Sequence, residues 1–117
     1  MSRNLDTHIT AGVLIEVLNE RRTQHAKWGE QNHPDGVEAW EDTVNLHYDE
    51  TAPSAGEIEH CARRILESGS PTFLAILMEE VGEAMCEVEK PKLRAELVQV
   101  AAVAVAWIEK LDREMGR

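Results

Sequence analysis

Residues 73–108 read FLAILMEEVGEAMCEVEKPKLRAELVQVAAVAVAWI, two helix patterns joined at Lys90-Pro91. Pro91 fits the first turn of the second helix, where its missing N–H costs little. So short a connection makes the two helices antiparallel neighbours. Residues three or four apart on a helix share a face. Glu80 and Glu83 therefore point together, with Glu79 alongside, and so do Glu96 and Gln99. Glu83 lies eight residues before Pro91 and Gln99 eight after it, so both pairs sit at similar height above the connection.

Carboxylates brought this close repel unless a positive charge sits among them. A hard divalent cation with oxygen ligands is the simplest solution, and Mg²⁺ suits a few carboxylates plus substrate phosphates. The residues leave a second reading open, in which the glutamates form a solvated helix face. Gln99 favours the first reading. It is a lone amide inside an otherwise apolar run from Leu97 to Ile108, and a buried amide needs partners.

The chain has 117 residues, enough for one domain, residues 1–117, with residues 1–8 loose. Twelve basic residues against 22 acidic give a net charge of −10. That balance disfavours a nucleic-acid partner and an anionic membrane surface. No apolar run is long enough to span a bilayer. The N-terminal MSRNLDTHIT lacks a secretory core, so a cytoplasmic protein is expected. Cys61 and Cys86 read as core thiols in a reducing compartment. The five histidines show no zinc-finger spacing.

The periodicity predicts an all-α bundle of four main helices with a central antiparallel hairpin. The first helix is expected from Thr10, as N-cap, to Lys27, with Gly29 as its stop. Val13, Leu14, Val17 and Leu18 form its apolar stripe. At its far end Gln24 is a candidate reader of a base edge and Trp28 a candidate stacking surface. Arg21 and Lys27 offer positive charge for phosphates. A solvated helix end is the plainer reading of the same residues.

From Gly29 to Gly56 the pattern is weak. His33-Pro34-Asp35-Gly36 is a turn signature. Residues 37–47 allow a short helix with Trp40 and Val44 inward, and the whole stretch allows a mobile flap. Ser54 and Glu57 form a capping box for a helix to about Ser68, with Ile58, Cys61, Ala62, Ile65 and Leu66 inward. Thr72 caps the third helix, which is expected to bury Leu74, Leu77, Val81, Ala84 and Val88. Gly82 marks either a close helix approach or mere tolerance of glycine. The last helix is apolar on every face, which predicts burial all round. A chain this small achieves that by presenting Val103 and Trp107 to another subunit, so an oligomer is expected.

MEEVGE followed by AELVQVAAVAVAWIE resembles the MazG-like, all-α nucleoside triphosphate pyrophosphohydrolase superfamily. That family carries E-E-x-x-E on one helix and E-x-x-D on the next. This chain has Glu79-Glu80-Val81-Gly82-Glu83, twelve further residues, then Glu96-Leu97-Val98-Gln99. The upstream segment from Glu20 to Gly36, with its Lys27-Trp28-Gly29, resembles a bacterial and phage MazG-like subgroup. The likeness covers most of the chain and is weakest across residues 37–70.

The resemblance implies Mg²⁺-dependent hydrolysis of a (deoxy)nucleoside triphosphate to monophosphate and pyrophosphate, with Mn²⁺ as an alternative ion. It implies metal ligands at Glu80, Glu83, Glu96 and Gln99. It places catalytic carboxylates at Glu79, Glu80, Glu83 and Glu96, Glu79 orienting water. Substrate contacts fall on Gln24, Lys27 and Trp28. The oligomer expected from the last helix is a homodimer or homotetramer. Gln99 stands where the family has Asp, and a neutral carboxamide binds Mg²⁺ more weakly. Two alternatives stay open: a helical interaction or regulatory module with a degraded metal site, and a pyrophosphohydrolase of another nucleotide.

Overall fold

A computed structural model of the chain describes residues 4–38, 40, 54–69 and 71–117. Four helices make up the fold: α1 (Thr7–Trp28), α2 (Ala55–Glu67), α3 (Phe73–Cys86) and α4 (Lys90–Glu114). Among the described residues there is no strand.

The helix ends follow their capping chemistry. Asp6, not Thr10, starts α1: its Oδ1 accepts from the N–H groups of His8 and Ile9, both at 3.1 Å. A carboxylate both caps these donors and complements the helix dipole, so it takes the end ahead of a threonine four residues on. Residues 7 and 8 are therefore helical rather than loose. Gly29 stops α1 with φ 68°, its N–H donating to the His25 carbonyl at 2.8 Å. Ser54 and Glu57 make the expected capping box, with both bonds at 3.3 Å. Thr72 Oγ1 accepts from the Ala75 N–H at 3.1 Å. Pro91 sits in the first turn of α4.

The packed pairs are α2 with α3, α3 with α4, and α1 with α4. Between α2 and α3 the contact runs through small side chains. Cys61, Ala62 and Ala75 are fully buried. Gly82 is what allows the approach: a Cβ there would lie 2.9 Å from Glu59 Cβ and 3.2 Å from its Cα. The buried face of α3 is accordingly Phe73, Ala75, Gly82 and Ala84. Leu74, Leu77 and Val81 are half-buried. Val88, expected in the core, lies past the helix end and is 91% exposed.

α4 is not buried all round. Ala102, Val103 and Ala106 are buried, but Leu97, Val105 and Ile108 face outward. Val103 and Trp107, expected to face another subunit, both make contacts within the chain. Val103 is 7% exposed. Trp107 stacks on Phe73, with ring centroids 6.0 Å apart, and its Nε1 donates to Asp35 Oδ1 at 2.6 Å.

That last bond belongs to a clamp. The Pro34 and Asp35 carbonyls accept from the N–H groups of Phe73 and Leu74 at 2.9 and 3.0 Å. These donors open α3 and have no partner within their own helix. Asp35 Oδ1 also accepts from Lys110 Nζ at 3.0 Å, and Lys110 pairs with Glu114 at 2.6 Å. The Trp107 and Lys110 bonds hold the Asp35 carboxyl below the usual carboxylate range. Gly36, with φ 83°, lies so close to Thr72 that any Cβ would collide with that side chain. Residues 31–36 are thus pinned to both α3 and α4, not a mobile flap. Residues 37, 38 and 40 are helical, and Trp40 donates its N–H to the Gly36 carbonyl at 3.0 Å. Val44, with residues 41–53 of the expected flap, falls outside the described residues.

Candidate functional site

Glu80 and Glu83 rise from α3 one turn apart, and Glu96 comes from the second turn of α4. The connection of residues 87–89 sets the two helices side by side, and the i, i+3 spacing aims both α3 acids at α4. Ligand atoms of Glu80, Glu83 and Glu96 all lie within 4.8 Å of one another.

The electrostatics show what this crowding costs. Burial pushes the Glu80 carboxyl up to about 7, with further upward pressure from the charges of Glu83, Glu96 and Glu79. Glu83 is raised as well, by burial first and then by Glu96 and Glu79. Glu96 Oε2 is buried and has no hydrogen-bond partner. Unsatisfied buried oxygens are rare in folded proteins and call for a specific explanation. An all-oxygen donor set of three carboxylates fits a hard divalent cation, and the partnerless oxygen is where such an ion would be held.

Beside the cluster lies a cavity of about 80 Å³ between α1, α3 and α4. Glu80 and Gln99 border it, as do Gln24 and Trp28. Gln24 is buried at 6% exposure, and its oxygen accepts from Arg21 Nη1 at a long 3.4 Å. Trp28 is 57% exposed. Lys27 is not part of this wall: its Nζ stands 4.6 Å from the Trp28 ring centroid, a cation–π contact. Arg21 is committed elsewhere, to Glu109 at 2.8 Å across the α1–α4 contact. Glu79 adds negative field to the cluster.

Three participants escape a reading of the sequence. Gln31 borders the cavity from the pinned segment. Phe73 borders it from α3 at 1% exposure. Asp35 fixes the segment that carries Gln31. Their partners lie 34 to 82 residues away in the chain, so no local pattern announces them. A much larger apolar groove, about 580 Å³, runs between α1 and α4 past Leu14, Leu18 and Val105. It includes none of the clustered carboxylates. Among the described residues no helix is long and apolar enough to cross a membrane.

No family model, no curated protein and no solved structure matches this chain.

Proposed function

We propose that the chain is a nucleoside triphosphate pyrophosphohydrolase. It cleaves a (deoxy)nucleoside triphosphate to the monophosphate and pyrophosphate. The observation that carries the reading is the meeting of Glu80, Glu83 and Glu96 around a buried, partnerless Glu96 oxygen, beside a cavity walled by aromatic and carboxamide side chains. The MazG-like pattern of the same residues is its second support. An antiparallel α3–α4 hairpin belongs to the reading. Glu83 meets Glu96 near the connection, and Phe73 meets Trp107 far from it, as such a hairpin requires.

Glu80, Glu83 and Glu96 would hold Mg²⁺ or Mn²⁺, with Gln99 as the fourth ligand position. The ion would offset the carboxylates and stabilise charge on the phosphate under attack. Glu79 orients the water that attacks between the α and β phosphates. Gln24 and Trp28 hold the base side of the substrate. Lys27, on the outer face of Trp28, reaches phosphate oxygens as the nucleotide enters. Such an enzyme works in the cytoplasm, where its substrates are found and where Cys61 and Cys86 stay reduced.

Self-association belongs to the same proposal, as a homodimer or homotetramer. Its support is the exposed apolar face of Leu14, Leu18, Val105 and Ile108 on α1 and α4. The groove along that face also supports a second reading, a helical interaction module whose metal site has decayed at Gln99.

Pyrophosphate release over all ribo- and deoxynucleoside triphosphates, with and without Mg²⁺, separates the two. Turnover that needs Mg²⁺ and is lost in Glu83→Gln is the expected result. No turnover with any substrate would leave the interaction module standing.

A further inference from the structure

The cavity beside the carboxylates has two unlike ends. One reaches Glu80 and Gln99, and the other is walled by Phe73, Val103 and Ala106. Gln24 from α1 and Gln31 from the pinned segment also line it. Trp28, Gln31 and Ile76 are shared with an outer cleft of about 470 Å³, so the chamber opens outward past the indole.

We propose that this chamber takes the single ring of a pyrimidine base edge-first, Gln24 and Gln31 hydrogen-bonding the ring's polar edge. The inference rests on the nucleotide reading above and adds the class of base.

Size is the first argument. The chamber holds about 80 Å³, less than the ~150 Å³ of an apolar cavity that accepts benzene. It admits the leading part of one ring, and a fused second ring would have to stay behind in the outer cleft. Its floor cannot yield easily. Phe73 and Ala106 are 1% and 3% exposed, and Phe73 stacks on Trp107 while His33 meets it edge-on.

Chemistry is the second. Apolar walls with a few placed polar groups are what a flat ring with a polar edge requires. A carboxamide offers a donor and an acceptor side by side. Turned one way it complements the amino edge of cytosine, and turned the other the imide edge of uracil. Gln31 is held for this task. Its own carbonyl accepts from Arg113 Nη2 at 2.8 Å, and Asp35 clamps its segment to α4.

Spacing is the third. Ile76 and Glu80 are four residues apart on α3, just over one turn or ~6 Å. A base beside Ile76 therefore sets its sugar across that turn and its phosphates toward Glu80, Glu83 and Glu96.

Calorimetric titration of the protein with dCMP, dUMP, dAMP and dGMP tests the inference without requiring turnover. The two pyrimidine nucleotides should bind at least about tenfold tighter than the purines. Gln31→Leu should weaken pyrimidine binding by about tenfold, the effect of leaving a buried hydrogen-bonding edge unmet. Its melting temperature should hardly move, because the Arg113 bond uses the main chain. Glu83→Gln should keep the base preference. Equal affinity for purines, or a Gln31→Leu variant that binds as wild type does, overturns the proposal. Turnover without base preference would sink it while the hydrolase reading survives. Absence of both nucleotide binding and hydrolysis would remove both.

Discussion

The two flanks of the α3–α4 pair are built on opposite principles. On one flank α2 lies against α3 through Cys61, Ala62, Ala75 and Gly82, all buried. Backbones approach until there is no space for a Cβ at Gly82. On the other flank α1 rests on α4 and faces α3 only across a cavity. Its large apolar residues Val13, Leu14 and Leu18 remain exposed. Ion pairs do much of the joining there: Arg94 takes both oxygens of Glu16 at 2.7 Å, and Arg21 takes Glu109 at 2.8 Å. Close packing rigidifies the helix that carries Glu80 and Glu83. Loose packing leaves room for a ligand beside them. A site needs both, because a ligand pocket is a packing defect that a rigid neighbour must keep open.

Several substitutions would sharpen or break this contrast. The largest effect is expected at Phe73, where the tight flank, the clamp and the chamber floor meet. Phe73→Ala should cost about 3–5 kcal/mol of unfolding free energy in denaturant titration. A cost below about 1 kcal/mol would mean that the ring contacts with Trp107 and His33 are not core contacts.

Gly82→Ala comes next. The new methyl must displace Glu59 Cβ and its backbone, an overpacking cost of about 1–3 kcal/mol that exceeds the ~1 kcal/mol helix propensity gained. Stabilisation by this change would show that α2 is free to retreat.

The acidic cluster gives a pH signature. Glu80 titrates at about 7 in the fold against 4.5 for the ordinary group. Between those values the folded state binds more protons than the unfolded one. Stability of the metal-free protein should therefore fall as pH rises from about 4.5 to about 7. Glu80→Gln should flatten that slope and raise stability at pH 8. Discounted for solvent screening of a partly exposed group, the gain is about 1–2 kcal/mol. Thermal melts across pH check it, and a slope unchanged in Glu80→Gln would acquit the cluster.

Gly12 is the counterpart of Gly82 on the open flank, with nothing within 4 Å of an added Cβ. Gly12→Ala should stabilise by up to about 1 kcal/mol. Destabilisation would reveal a neighbour covering α1.

The smallest folding effect belongs to Leu18→Glu, expected within about 0.5 kcal/mol for a surface position. Under the proposed self-association, its mass by light scattering should nonetheless drop to that of one chain. An unchanged mass would remove the α1–α4 face from any assembly.

Local chemistry settled much of this protein in advance. Helix content, the capping box at Ser54, the Thr72 cap, the Gly29 stop and Pro91 in the first turn of α4 all depend on residues within a few positions of one another. So does the pairing of Glu80 with Glu83 on one helix face. The meeting of those two with Glu96 was legible because three connecting residues leave two helices little choice of neighbour. What the tertiary structure alone decided lies wherever partners are far apart in the chain. Asp35 reads as a turn residue, yet its role comes from Trp107 and Lys110. Trp107 reads as a surface anchor for a second copy, yet it is spent within the chain on Asp35 and Phe73. Lys27 and Trp28 are neighbours in the chain, but the tertiary structure sets only the indole of the two on the cavity wall, with the ammonium against its ring. The physical reason is one of degeneracy. Hydrophobic periodicity says that a face is buried, but burial is non-directional and does not choose between α2, α4 and another subunit. That choice is made by shape, here by one glycine that lets α2 close on α3 and one aspartate that ties a loop to α4.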